Sequence, residues 1–265
     1  MTSSDLDPSQ LAPLPTFLII GAQKSATRWL RHNLGQHPDV FAAATEISYF
    51  NDDRRYALGS DFYRAQYAGW AGESIRGEST PGYLMWRHQP PVVAERIGQI
   101  VPDVALIAVL RNPIDRAQSA LRHHIDGEAI PPSTDLLTHI RTHDPVTDRL
   151  GIIAGGWYAA SLQPFVDRFG DRLLVLLHDD IATDAPGVYD RARHHVGAAA
   201  GFVPAELAAV RNSNQRPIGA RGLRTDADLS SEDRVVVYDL YRDDLARLED
   251  LIQRDLSIWD PTRVT

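Results

Sequence analysis

Short apolar runs alternate with amphipathic segments along most of the sequence. The run from Phe17 to Ile20 is apolar and ends at Gly21, a pattern typical of a buried parallel strand that enters a tight loop. Residues 104–110 and 171–180 contain two more apolar runs of strand length. Because strands that alternate with helices pair side by side, the pattern predicts an α/β domain whose central, mostly parallel sheet is flanked by helices.

Apolar residues at helical spacing fill the segments between these runs. Asn112 and Pro113 mark a helix start directly after the second strand, and prolines at 90 and 91 mark an earlier one. Near the C-terminus, Ser230 with Asp233 three residues later predicts a helix N-cap. The predicted helices run from Trp29 to Leu34, Pro90 to Ile100, Pro113 to Leu121, Trp157 to Phe169 and onward from Ser230.

Length and composition fit one domain. The chain has 265 residues without a strong shift in composition, so we expect a single domain at residues 16–265. Residues 1–15 are polar and contain prolines, which predicts a loose N-terminal tail rather than a signal peptide. The sequence has no apolar run of membrane-spanning length and no cysteine. We therefore expect a cytoplasmic protein without disulfides or thiolate metal sites.

The charge balance is acidic, and lysine is nearly absent. The net charge of −8 argues against a general nucleic-acid binder, because such proteins display broad basic surfaces. Among 27 lysine and arginine residues, Lys24 is the only lysine. An ammonium can reach a single phosphate oxygen where a planar guanidinium would collide with a loop. Lys24 is therefore a candidate functional residue, although a lone lysine can also survive by chance in an arginine-rich sequence.

The peptide GAQKSATR at residues 21–28 has the form of an anion-binding loop. It joins a predicted strand to a predicted helix, where free backbone N–H groups and the helix dipole point at a ligand. The small residues that keep the loop narrow are Gly21, Ala22, Ser25 and Ala26. Side-chain donors are added by Lys24, Ser25 and Thr27. The loop lacks the Walker A spacing GxxxxGK[ST], and this disfavours ordinary hydrolysis of nucleoside triphosphates.

A second cationic cluster follows the strand at 104–110. Arg111 lies at the carboxyl end of that strand, where ligands of open α/β sheets bind, and Ser119 lies about two helical turns further on. Arginine can hold a phosphate through two hydrogen bonds, and a serine hydroxyl can complete the site. Two separate phosphate sites predict a ligand phosphorylated at both ends. The alternative is structural, with Arg111 in a salt bridge at the helix start and Ser119 on its surface.

Taken together, these motifs resemble those of sulfotransferases that use 3′-phosphoadenosine 5′-phosphosulfate (PAPS). GAQKSATRWLRHNLGQHP is similar to the family's 5′-phosphosulfate loop, and VLRNPIDRAQSA is similar to its 3′-phosphate motif. TEISYF at 45–50, GESTPGYL at 77–84 and GGWYAASLQPFVDRFG further on resemble the branch of heparan sulfate sulfotransferases and their bacterial relatives. The resemblance covers residues 16–185 and implies a P-loop-like sulfotransferase fold. It also implies PAPS as sulfo donor and adenosine 3′,5′-bisphosphate (PAP) as product.

The resemblance assigns roles to single residues. Lys24 would stabilise the bridging and terminal oxygens of the sulfate, and the backbone amides of residues 25–28 would hold the 5′-phosphate. Glu46 aligns with the glutamate that acts as base in this branch. Independently of the resemblance, His123 and His124 are rival bases on the helix after Ser119, although paired histidines near a helix end more often contact the helix C-terminus or solvent. The predicted nucleotide-binding residues are Gly21, Lys24, Ser25, Ala26, Thr27, Arg28, Arg111 and Ser119, with Arg216 and Arg221 in a lid.

Departures from the family pattern bear on the acceptor. Thr45 and Ser79 stand where the carbohydrate-modifying relatives carry lysine, so we expect a less anionic acceptor than heparan sulfate. A hydroxyl of a small metabolite, a glycolipid or a neutral sugar fits this expectation. Ala26 replaces a usual glycine in the loop, which adds one methyl group. The residues predicted to contact the acceptor are Tyr49, Tyr83 and His123.

Two other functions remain open at this point. A nucleotide kinase with a degenerate P-loop would require magnesium and ATP. A PAPS-binding protein without turnover is conceivable because of Thr45 and Ser79, whereas the presence of both Lys24 and Glu46 favours an enzyme. Asp179 and Asp180 could bind a metal, but carboxylates at the end of a strand more often cap the next helix, so we predict no metal. The sequence leaves the oligomeric state open.

Overall fold

Five parallel strands form one sheet in the computed structural model, which describes residues 12–205, 207 and 229–263. The strands are β1 Phe17–Gly21, β2 Val40–Ala42, β3 Ile75–Ser79, β4 Ala105–Leu110 and β5 Leu173–Leu177. Their order in the sheet is β2-β3-β1-β4-β5, and every neighbouring pair is parallel. The predicted α/β fold with a central parallel sheet is confirmed.

Helices connect the strands and cover both faces of the sheet. They are α1 Thr27–Leu34, α2 Asp53–Tyr56, α3 Gly59–Ala65, α4 Pro90–Ile100, α5 Pro113–Asp126, α6 Leu136–Thr142, α7 Tyr158–Phe169, α8 His178–His195, α9 Ser231–Asp239 and α10 Arg242–Ile252. The backbone of α8 is not helical at Asp184. Short 3₁₀ turns include Pro81–Leu84, directly after β3, and Ala154–Gly156, before α7.

Alternating residues of the central strands divide the core into two layers. Leu18 and Ile20 of β1 pack in the layer that contains α4 and α7. Phe17 and Ile19 pack in the opposite layer, with α1 and α8. Because both faces of β1 and β4 are covered, these strands consist almost entirely of apolar residues, and this explains why the sequence pattern locates them well.

Two boundaries differ from the sequence pattern. The apolar run at 171–180 predicted a strand, but β5 ends at Leu177, and His178–Asp180 form the first turn of α8. The C-terminal apolar stripe is divided between α9 and α10, which leaves Leu240 exposed while Val237 and Leu248 are buried. The predicted cap is present, since the Ser230 hydroxyl accepts a hydrogen bond from the Asp233 amide at 3.1 Å.

The N-terminal boundary stays a prediction, because residues 1–11 lie outside the described part of the chain. Ala12 is buried, and its carbonyl accepts a hydrogen bond from Arg64 Nε at 2.8 Å. Among the described residues, no helix is both long enough and apolar enough to cross a lipid bilayer.

Candidate functional site

The loop after β1 is tightly turned. The Ala22 amide donates to the Val109 carbonyl at 2.8 Å, and the Ser25 amide donates to the Ala22 carbonyl at 3.3 Å. Lys24 and Ala26 have positive φ angles of 70° and 67°. Left-handed residues alternating with ordinary ones turn successive N–H groups towards one point. The loop therefore delivers the first amides of α1, which lack partners within the helix, to the carboxyl edge of the sheet.

The glycine that ends β1 has a packing role. A Cβ atom at Gly21 would lie 2.6 Å from Leu84 Cβ, which is closer than side-chain carbons approach one another. Leu84 belongs to the 3₁₀ turn after β3, so Gly21 lets this turn pack against the end of β1. Its predicted contact with a phosphate stays a prediction.

Lys24 lies in a cluster of cations that come from the segments following two neighbouring strands, β1 and β4. Burial lowers the pKa of Lys24, the charges of Arg28 and Arg111 lower it further, and only Asp126 opposes them among the groups that act on it most. Arg111 Nη1 donates to the Lys24 carbonyl at 3.4 Å. Because β1 and β4 are adjacent in the sheet, the two predicted phosphate motifs lie next to each other.

Hydroxyl groups accompany these cations. Ser25, Thr27 and Ser119 are buried, whereas Arg28 is exposed. The Tyr158 hydroxyl, which sequence reasoning missed, donates to the Arg111 carbonyl at 2.8 Å and fixes the backbone at the end of β4. Arg216 and Arg221, the predicted lid residues, lie outside the described part of the chain.

Segment 45–50, which carries Glu46, follows β2 and has no regular secondary structure. Arginines from three helices donate to its backbone or to the residues just before it. Arg31 Nη1 of α1 donates to the Ala43 carbonyl at 2.6 Å, and Arg96 Nη1 of α4 donates to the Phe50 carbonyl at 3.1 Å. Arg55 of α2 donates to the Ile47 carbonyl. Glu46 itself is exposed, so the enclosed, dry environment expected for a base is not formed by the described residues alone.

A buried carboxylate lies beneath this segment. Glu78 of β3 is 0% exposed, and it accepts hydrogen bonds from the Thr80 and Tyr83 hydroxyls at 2.5 Å each and from Tyr63 at 3.3 Å. Burial raises the pKa of Glu78, and the hydrogen bonds oppose this rise. Sequence reasoning missed Glu78. The available signal was an acidic residue between two small ones in the strand Ile75–Ser79, which is buried at every position except Arg76.

Tyr49 and Tyr83, predicted to contact the acceptor, are both buried in the core. Tyr49 stacks on Tyr63 with ring centroids 4.4 Å apart, and the Tyr83 hydroxyl belongs to the Glu78 network. Burial raises the pKa of Tyr49 to about 12. Contact of these two rings with an acceptor stays a prediction, because their observed partners lie within the domain.

His123 borders the cation cluster. Partial burial lowers the pKa of His123, and the charges of Lys24 and Arg28 lower it further. His124 is half-buried, and burial followed by the charge of His123 lowers its pKa. Of the two rival bases, His123 therefore has the more direct electrostatic contact with the predicted nucleotide site.

Asp179 and Asp180 have structural partners. Asp179 accepts a hydrogen bond from Trp259 Nε1 at 3.0 Å, and Asp180 pairs with Arg254 at 2.5 Å. Within the described ranges, no group of three or more histidine, aspartate or glutamate side chains could hold a metal ion.

Similar proteins share a sulfotransferase description. The sequence is 31% identical over 184 residues to heparan sulfate glucosamine 3-O-sulfotransferase 6 of Homo sapiens, and the matched region covers 69% of this chain and 52% of that protein. It is 31% identical over 186 residues to heparan sulfate glucosamine 3-O-sulfotransferase 3B1 of Mus musculus, where the matched region covers 69% of this chain and 46% of that protein. This chain therefore spans about half the length of the curated relatives it matches.

A solved structure matches over almost the whole chain. The sulfotransferase from Alicyclobacillus acidocaldarius superimposes with a TM-score of 0.72 at 26% sequence identity, over 94% of this chain and 99% of that one. No family model matches the sequence.

Proposed function

This chain belongs to the family of PAPS-dependent sulfotransferases, and we propose that it moves a sulfo group from PAPS to a hydroxyl of a small metabolite, glycolipid or sugar. The observation that carries this proposal is the cation cluster at the carboxyl ends of β1 and β4. Lys24 and Arg111 come from loops that follow adjacent strands, and Arg28 comes from the first turn of α1.

The residues of this cluster fit a ligand with two phosphate groups. Positive charges held close together are unfavourable unless an anion neutralises them. Arg28 and Arg111 each lower the pKa of Lys24 more than Asp126 raises it, so this carboxylate compensates only in part. We propose that Lys24 and the first amides of α1 hold the 5′-phosphosulfate, and that Arg111 and Ser119 hold the 3′-phosphate. PAPS would supply an activated sulfo group and leave as PAP.

Two residues of the chain would act during transfer. Lys24 would place its charge where negative charge develops on the leaving phosphate, which is the arrangement that lowers such a barrier most. Glu46 would accept the proton of the acceptor hydroxyl, and general-base help of this kind contributes ~10²–10⁴ in rate. Because Glu46 is exposed, the acceptor itself would have to cover the carboxylate and exclude water from it.

Differences at two positions support an acceptor that is less anionic than heparan sulfate. Thr45 is exposed beside Glu46, where it can meet an acceptor without adding charge. Ser79 is buried at the end of β3, so this position contributes neither a charge nor a surface. We further propose that transfer needs no metal and takes place in the cytoplasm.

The first experiment measures thermal stability with PAP and, separately, with ATP plus magnesium. A ligand at 100 times its dissociation constant stabilises a folded protein by ~2.7 kcal/mol, which is visible as a shifted transition. We expect PAP to stabilise the wild type and Arg141→Ala, an exposed change on α6, and to stabilise Lys24→Ala less. ATP with magnesium should have little effect.

Other outcomes would contradict the proposal in different ways. Stabilisation by ATP with magnesium but not by PAP would favour a nucleotide kinase. Stabilisation by PAP without PAP formation from PAPS, across a panel of sugar and phenol hydroxyls, would favour a binding protein without turnover.

A further inference from the structure

Three consecutive backbone amides of segment 45–50 donate to one network of side chains. The Ile47 amide donates to the Glu78 carboxylate. The Ser48 amide donates to Thr80 Oγ1 at 3.1 Å, and the Tyr49 amide donates to the Tyr83 hydroxyl oxygen at 3.1 Å. Ser48 has a φ angle of 53°, in the left-handed region. A left-handed residue within such a run makes successive N–H groups converge, as in anion-binding concavities.

The carboxylate determines the direction of the other bonds. A hydroxyl has one hydrogen to donate, and Thr80 and Tyr83 both donate it to Glu78, at 2.5 Å in each case. Their oxygens therefore face segment 45–50 as acceptors, which is what the Ser48 and Tyr49 amides require. An ionised carboxylate only accepts, so Glu78 orients both hydroxyls with their hydrogens towards itself.

We propose that Glu78 is a positioning residue that, through Thr80 and Tyr83, holds segment 45–50 in the conformation that presents Glu46 to the acceptor. The presentation of Glu46 rests on the proposed function, whereas the holding of the segment does not. Glu78 is fully buried beneath the segment, so it acts on an acceptor only through the backbone it fixes.

Burial of the Glu78 charge lowers the stability of the fold. The carboxylate therefore does not serve to stabilise the domain, and a positioning role can be tested separately from stability. Burial raises the pKa of Glu78, so the ionised carboxylate lowers the stability of the fold at neutral pH relative to a neutral group of the same shape. A glutamine would remove this penalty but would present a donating NH₂ group to one of the two donating hydroxyls. We therefore expect Glu78→Gln to loosen the segment while leaving the folded domain intact.

The test measures amide hydrogen exchange of residues 47–49 in wild type, Glu78→Gln and Tyr63→Phe. Tyr63→Phe is the matched control, because Tyr63 donates to the same carboxylate but accepts no amide of the segment, and phenylalanine keeps its stacking on Tyr49. We expect exchange at 47–49 to rise roughly tenfold or more in Glu78→Gln, since a hydrogen bond to a charged group is lost. Exchange in β1 and the thermal shift with PAP should be unchanged, and Tyr63→Phe should resemble wild type.

Turnover completes the test. PAP formation from PAPS with a hydroxyl acceptor should fall ~10-fold or more in kcat for Glu78→Gln, with the KM for PAPS unchanged, because a small displacement of a reacting group has effects of this size. A merely structural role would instead lower thermal stability, lower kcat and raise the KM for PAPS together.

Each remaining result decides between the two claims. Unchanged exchange at 47–49 in Glu78→Gln would overturn the inference whatever the activity. If exchange at 47–49 rises in Glu78→Gln but the wild type neither binds PAP nor turns over PAPS, the holding of the segment is supported and the proposed function is overturned. If Glu78→Gln fails to fold, Tyr83→Phe removes only the oxygen between the Tyr49 amide and Glu78, and exchange at Tyr49 then gives the answer.

Discussion

Two loops at the same edge of the sheet both turn backbone amides towards a common point, and they differ in what accepts those amides. Residues 21–28 follow β1 and contain two left-handed residues, and segment 45–50 follows β2 and contains one. In both, amide groups are turned towards a common point. At 47–49 the protein's own anion, the Glu78 carboxylate, lies behind that point. The Ile47 amide reaches it directly, and the next two amides reach it through hydroxyl groups. At 21–28 the common point is bordered by Lys24 and Arg28, which we propose receive the anion from the nucleotide.

The two loops also differ in what supports their conformation, and this predicts different functions for them. The first loop is supported by local backbone contacts, such as Ser25 to Ala22, and by the neighbouring strand. The second depends on side chains more than thirty residues away, since its Ser48 and Tyr49 amides reach Thr80 and Tyr83. Changes in the first loop should therefore alter nucleotide binding, and changes in the second should alter the chemical step.

The sharpest separation is expected from Glu46→Gln. Loss of the proposed base should reduce kcat by ~10²–10⁴, while PAP binding, measured by calorimetry, stays within a few-fold of wild type. Glu95→Gln on the exposed side of α4 makes the same chemical change away from the site and should leave kcat unaltered.

A histidine comparison completes this prediction. His123→Asn should lower kcat only a few-fold. If its effect on kcat equals that of Glu46→Gln, the base is a histidine and segment 45–50 has another purpose.

Arg111→Lys is the corresponding change on the nucleotide side. Lysine keeps the charge but loses the planar fork, and one hydrogen bond to a charged group is worth ~1.5–3 kcal/mol, so PAP affinity should fall roughly 10–100-fold. Adenosine 5′-monophosphate lacks the 3′-phosphate, and its affinity should change little. An equal loss for both nucleotides would mean that Arg111 acts by supporting the Lys24 carbonyl, to which it donates at 3.4 Å.

The sequence predicts the first loop better than the second for a physical reason. Strand, small-residue loop and helix lie within residues 17–34, so a local pattern contains the whole predicted 5′-phosphate loop and also locates Lys24. Arg111 follows from the same logic at the next strand. The order of the strands, which brings the two motifs together, depends on sheet pairing that no local pattern encodes.

Glu78 illustrates what local patterns leave out. It stands in the short strand Ile75–Ser79, and its partners Ile47 and Tyr63 belong to distant segments. Tyr49 and Tyr83 were selected as aromatic residues near the motifs, but only the fold shows that both are buried and that the Tyr83 hydroxyl accepts the Tyr49 amide. The sequence also puts the end of the last strand three residues beyond Leu177, because the polar residues His178–Asp180 fit the end of a strand as well as the first turn of a helix.

Two alanine-to-glycine substitutions test how strictly the first loop depends on backbone conformation. Ala26 has a φ angle of 67°, where a Cβ atom is unfavourable, so Ala26→Gly should raise the free energy of unfolding by roughly 1 kcal/mol. Ala22 is buried and does not have a positive φ angle, so Ala22→Gly should lower it by ~0.5–1 kcal/mol. Denaturant unfolding of both variants measures the two values, and changes of the same sign would contradict the assigned backbone geometry.

The smallest expected effect concerns pH and the border of the cation cluster. Partial burial and then Lys24 and Arg28 hold the pKa of His123 below its ordinary value of 6.5. A bound phosphate would favour the charged imidazolium and raise that pKa, so PAP binding should take up a proton, and affinity should increase as the pH falls towards and below 6.5. His123→Asn should remove a few-fold of this increase. Calorimetry of both proteins across this pH range cancels the titration of PAP itself, and identical pH profiles would place His123 outside the reach of the nucleotide.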